Sequence, residues 1–217
     1  MQGQKSATER RRMGRWTLVM AGVLWVAAVA TAMSALLKYE STAGPRANSD
    51  QTWPAGSTLR RTAGQPTLVV LAHPQCACTR ASLSELNVIM QRFSGTLTAY
   101  VLFVRPHEMP DRWEQTDSWR RAQDVPGVIV RVDQDGTEAK RFRGYTSGQT
   151  LVYDASGRLI YNGGLTAARG HEGDNLGRRA IIALLTGEAH GPLVHNVFGC
   201  LLFSADENAR LMTGDGV

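Results

Sequence analysis

Thr67-Leu68-Val69-Val70-Leu71-Ala72, followed at once by His73-Pro74-Gln75-Cys76-Ala77-Cys78, is the stretch on which the reading of this chain turns. A continuous apolar run of this length is expected of a strand buried on both faces of a parallel sheet. Beyond it, Leu86, Ile89, Met90 and Phe93 repeat at helical spacing and predict an amphipathic helix over residues 79–93. Two of the chain's three cysteines therefore stand between a buried strand and a helix N-terminus, one residue apart. A thiol placed there feels the partial positive charge of unpaired amides, which favours its thiolate. The expected chemistry is thiol redox exchange or soft-metal binding.

Outward from this segment the pattern alternates. Residues 97–104 form a second buried strand, and the polar residues 108–123, with Trp113 and Trp119, are read as helix. Residues 128–132 make a third strand, followed by Asp133-Gln134-Asp135-Gly136 as a turn and a short helix through Phe142. Gln149–Tyr153 and residues 158–161 flank Asp154-Ala155-Ser156-Gly157, a hairpin signature. Leu176–Thr186 is a closing helix with Ala180, Ile181, Leu184 and Leu185 on its inner face. Strand–helix alternation ending in a hairpin and a helix implies an α/β fold, a mixed sheet flanked by helices.

The two ends differ from this domain. Residues 1–15 carry Lys5, Arg10, Arg11, Arg12 and Arg15 against Glu9, whereas the rest of the chain, with 19 basic and 18 acidic residues, is nearly neutral. The basic excess thus belongs to a tail and gives no surface for nucleic acid. From Trp16 to Leu37 there are 22 residues without a charge, long enough to span a bilayer. The basic residues before them predict a cytoplasmic N-terminus. Ala30-Thr31-Ala32 resembles a signal-peptidase site, but the apolar stretch exceeds that of a signal peptide, which favours a retained anchor. The expected organisation is a basic tail (1–15), a transmembrane anchor (16–37), a tether (38–64), an exported domain (65–187) and a C-terminal extension (188–217). Either fate of the anchor places the thiols in an oxidising compartment.

Cysteines between a buried strand and the next helix resemble the thioredoxin-like fold, and in particular bacterial membrane-anchored proteins of the TlpA/ResA type, within them RedB-like proteins. The carrying segments are 73–82, Thr150 to Asp154 with Gly157, and Gly163-Gly164-Leu165-Thr166 through Arg169-Gly170-His171-Glu172-Gly173-Asp174-Asn175. The resemblance implies an inner-membrane protein, single-pass, with a periplasmic or extracellular domain that exchanges disulfides with protein partners. Three positions depart from the family: one residue, Ala77, separates the cysteines where thioredoxins have two, Gly148 stands where the family's cis-proline falls, and Val70 replaces its buried acid.

In this reading Cys76 is the nucleophile and Cys78 resolves it. A bridge between residues i and i+2 needs a tight turn, so it is expected to be strained and oxidising. His73 is a candidate thiolate stabiliser or proton partner. No cofactor beyond the redox-active disulfide is required. The alternatives are copper held by Cys76, Cys78 and His73, a soft donor set, or a scaffold with inert thiols. Gly148, Arg169 and His171 are candidates for a substrate groove. Cys200 is an unassigned third thiol that could resolve Cys76, complete a metal site, pair between chains or be buried as a small apolar residue.

Overall fold

The computed structural model describes residues 3–213, with side chains from residue 12 onward. The outermost residues of the basic tail and of the extension, and the side chains of Lys5, Glu9, Arg10 and Arg11, lie outside that description. The chain divides into two compact units, Met1–Ser41 and Thr42–Val217.

The first unit is one helix, α1 (Gly3–Ser41), which contains the expected span and continues beyond both of its ends. Its segment Arg12–Ser41 is 30 residues long and contains an 18-residue window with a mean hydropathy of 2.0 and no burial. At 1.5 Å per residue it reaches about 45 Å, enough to cross a hydrocarbon core of about 30 Å.

In the second unit the apolar run forms β1 (Thr67–Ala72) at the centre of a six-stranded sheet. The other strands are β2 (Thr98–Arg105), β3 (Val128–Gln134), β4 (Gln149–Tyr153), β5 (Leu159–Gly164) and β6 (Leu193–Val194), in the order β3-β2-β1-β4-β5-β6. β1 runs parallel to β2 and antiparallel to β4; β2 and β3 are parallel, and β4 and β5 antiparallel. The helices are α2 (Ala77–Phe93), α3 (Asp117–Asp124), α4 (Thr137–Arg141), α5 (Leu176–Thr186) and α6 (Ala205–Thr213). Because strand side chains alternate, β1 feeds two cores. Leu68, Val70 and Ala72 join Leu86, Ile89 and Met90 of α2 and Ile181 of α5. Val69 and Leu71 join Phe142, Leu151 and Tyr153. A parallel β1-α2-β2 unit followed by an antiparallel hairpin and a closing helix is the thioredoxin-like fold.

Three expectations are revised. The helix over 108–123 is confined to α3. Before it, Pro106 and Pro110 accept turn hydrogen bonds from Met109 and Trp113, and Arg112 has φ 67°, outside helical geometry. Within the expected tether (38–64), Ala47, Trp53 and Leu59 lie on the second core. Gly44 bridges Val197, Thr52 bridges Arg158, and Trp53 packs edge-on against Phe142 and Tyr153 at 5.2 and 5.1 Å. Asp133 belongs to β3 rather than a turn, and its buried carboxylate accepts the N–H groups of Glu138 and Ala139, capping α4. The C-terminal extension is likewise packed, with Val197, Leu202 and Phe203 buried.

Candidate functional site

β1 ends at Ala72 and the chain turns through Pro74, the Cys76 N–H donating to the His73 carbonyl at 3.2 Å. Cys76 takes the N-cap position of α2 with φ −82° and ψ 122°. The helix starts two residues earlier than expected, which puts Cys78 in its first turn. A polar net holds this turn. The His73 N–H donates to Ser147 Oγ at 2.9 Å, Thr79 Oγ1 donates to the His73 carbonyl at 2.9 Å, and the Thr79 and Ser147 hydroxyls share a hydrogen bond of 2.9 Å.

Ser147 also brings in the third cysteine. Its N–H donates to the Cys200 carbonyl at 2.8 Å, the Leu202 N–H donates to the Tyr145 carbonyl at 2.9 Å, and Thr146 and Leu201 form an antiparallel bridge between them. The approach depends on Gly199, where a Cβ would stand 1.9 Å from the Ser147 carbonyl oxygen. From the other side Arg169 Nη1 donates to the Gly199 carbonyl at 2.6 Å. Cys76 and Cys78 are 3% and 6% exposed, Cys200 is half-buried, and none is in a disulfide.

The three sulfurs set one another's charge. The Cys78 thiol, donating toward Cys76 Sγ, is the main influence that lowers the Cys76 pKa to about 4. Burial opposes the shift, and the Cys200 thiol and the backbone N–H groups of Cys200 and Cys78 reinforce it. The Cys76 side chain itself makes no cap hydrogen bond to α2. The same contact, aided by burial, pushes Cys78 far above the usual thiol range. Burial, then Cys76, raise Cys200 to about 11, with the Arg169 charge pulling the other way. Together these influences favour the thiolate on Cys76 and the protonated thiol on Cys78 and Cys200.

The remaining candidates divide. His73 stays close to the thiols, but burial lowers its pKa, so its imidazole is neutral at pH 7. Its Nδ1 accepts the Gln75 N–H at 3.2 Å, and its ring stands edge-on to Trp113 at 5.5 Å. Gly148 has φ +87° and donates to the Leu71 carbonyl at 2.7 Å, while a Cβ there would lie 3.0 Å from Ser82 Oγ. Proline can adopt neither that φ nor that hydrogen bond. His171 is exposed, and its backbone closes the loop through bonds to Ala168 and to Asn175 Nδ2. A groove of about 600 Å³ opens beside the site, lined by His73, Pro106, His107, Asp135, Leu201 and Phe203. Gly148, Arg169 and His171 lie outside its walls.

Glu85 was not anticipated. It is 2% exposed on α2, accepts the Gly173 N–H at 2.9 Å and pairs with Arg178 Nη1 at 2.6 Å, anchoring the 169–175 loop. A carboxylate next to Leu86 and four residues before Ile89, on the apolar side of the helix, was the available signal. Among the described residues, no group of three His, Cys, Asp or Glu side chains is arranged to hold a metal ion.

No protein-family model matches the chain, and no curated protein matches it. Similar solved structures include a hypothetical protein from Sinorhizobium meliloti 1021, with 21% identity and a TM-score of 0.55 over 76% of this chain and 96% of that one. An uncharacterized conserved protein from Geobacillus kaustophilus has 15% identity and a TM-score of 0.55 over 76% and 93%. A secreted disulfide oxidoreductase from Mycobacterium tuberculosis matches more loosely, with 13% identity and a TM-score of 0.41 over 58% and 83%. The first two extend the fold likeness over most of both chains.

Proposed function

We propose that this chain is a thiol–disulfide oxidoreductase, held by α1 at a bacterial inner membrane, that acts through Cys76 on protein thiols and disulfides outside the cytoplasm. The observation that carries this reading is the thiolate at the α2 N-cap, favoured by two neighbouring thiols and two backbone N–H groups. A thiolate is the attacking species in disulfide exchange, and one of low pKa is also a good leaving group. Stabilising the reduced form in this way makes the corresponding disulfide oxidising. The basic residues at the N-terminal end of α1 favour a cytoplasmic N-terminus, and in this reading the second unit works where disulfides persist. With Cys76 only 3% exposed, exchange with a partner requires the cover over its sulfur to open.

The test uses the full chain in detergent, metal-free, with a peptide disulfide as substrate. Exchange should fall to the uncatalysed background in Cys76→Ser while the thermal transition is kept. Parental exchange by that variant would sink the reading. Tight Cu(I) binding by a parent that shows no exchange would sink it too, in favour of a metal-binding role for the same thiols.

A further inference from the structure

We infer that Cys200 is the second sulfur of this site: it resolves the mixed disulfide on Cys76 and forms a Cys76–Cys200 bridge, the role that spacing in the sequence assigns to Cys78. The inference rests on the oxidoreductase reading above and names its resolving group.

Its ground is the way residues 199–202 are built into the site. Four features hold Cys200 there: the Ser147 N–H on its carbonyl, the Thr146–Leu201 bridge, the Arg169 contact to Gly199, and the absence of a side chain at Gly199. Ser147, which holds the Cys200 carbonyl, also holds the His73 turn and Thr79 at the start of α2, so Cys200 is brought to the cysteine turn, where its thiol and N–H favour the Cys76 thiolate. Cys78 meets the same sulfur from one residue away, inside the first turn of α2. Bonding the two would close a very small ring across Ala77 and strain the start of the helix, since a disulfide needs a near-perpendicular torsion. Cys200 arrives on a separate segment, so a bond to it leaves α2 in place. Cys78 is left as the thiol whose hydrogen bond holds Cys76 ionised in the reduced state.

Cover and resolving group are then one segment. When it lifts, the Cys76 thiolate attacks one sulfur of a partner disulfide. A new S–S bond forms, the partner's S–S bond breaks, and the partner's other sulfur leaves with the electron pair and takes a proton from water. When the segment returns, Cys200 loses its proton to water and its thiolate attacks Cys76 Sγ. The mixed disulfide breaks and the partner's second sulfur departs as thiolate. One external disulfide has become two thiols, and two thiols of this chain have become one disulfide; the same steps in reverse, favoured by the stabilised Cys76 thiolate as leaving group, pass that disulfide to a partner dithiol. The positive charge of Arg169 lies on the Cys200 side, where it favours the attacking thiolate.

The experiment exposes the full chain in detergent to glutathione disulfide, quenches in acid at intervals, alkylates free thiols and maps the peptides without reduction. The parent and Cys78→Ser should each yield a cross-linked peptide pair joining Cys76 to Cys200. In Cys200→Ser the Cys76–glutathione mixed disulfide should persist, its resolution slowed by about tenfold or more. A Cys76–Cys78 bridge in the parent, with Cys200 alkylated, would overturn the inference and leave the oxidoreductase reading standing. A parent in which Cys76 remains a free, alkylated thiol would overturn both. The parent's peptide map decides the assignment even if a variant fails to fold.

Discussion

At the residue scale, the charge on Cys76 governs the chemistry, and amide dipoles at a helix start account for only part of it. Two neighbouring thiols supply the rest, so the Cys76 pKa of about 4 belongs to the cluster. The sign follows directly. Cys76 is protonated and unreactive below that pH, and it is ionised from there upward, well short of the ordinary thiol value of about 8.5. Its alkylation rate should therefore rise through about pH 4 and level off by neutrality. Cys78→Ala or Cys200→Ala should move the midpoint upward, Cys78→Ala the more. A parental midpoint near the ordinary thiol value would show that these contacts do not operate in solution. Linkage has the same direction: a folded-state pKa below the unfolded one stabilises the fold at high pH, and that stability is lost as pH falls toward 4. Cys76 and Cys78 were legible in the sequence because a helix start acts on its own first turn. The influence of Cys200 was not, since it reaches the site from the far end of the chain.

At the scale of elements, strong periodicity located structure well. β1, β4 and α5 occupy the residues that pattern alone assigns them. α2 starts early because Cys76, already in extended geometry, takes the cap position. Residues 44–66 and 196–203 carry no period, because they contribute isolated side chains such as Ala47, Trp53 and Phe203 to a core built by others. Composition alone therefore reads them as linker. The buried Glu85–Arg178 pair joins α2 to α5 and, through Gly173, to the loop between β5 and α5. Glu85→Ala would leave Arg178, whose side chain is 19% exposed, without its partner. Removing one member of a largely buried pair costs about 3 kcal/mol. Urea denaturation should show that loss, and limited proteolysis should find new cleavage within 169–175. Parental stability and cleavage in this variant would mean that the pair does not anchor the loop.

At the scale of the whole molecule, the unit Thr42–Val217 contains every strand of the sheet and both cores. Residues 42–217 produced alone should remain in solution without detergent, show a cooperative thermal transition and keep the acidic Cys76. Aggregation of that fragment would show that folding of the second unit requires α1. The apolar length of α1, the order of elements from β1 to α5, and two thiols at a helix start were all determined by the sequence itself. Hydrophobic period, helix length and end-of-helix electrostatics act over a few residues and can be read locally. Only the tertiary structure decided that Ala47, Trp53 and Leu59 pack on the second core, that Gly148 takes a backbone form closed to proline, and that Cys200 is held at Ser147 beside the start of α2. Those facts depend on the sheet bringing residues 145–147 beside 199–202, a contact between distant segments that leaves no local pattern in either.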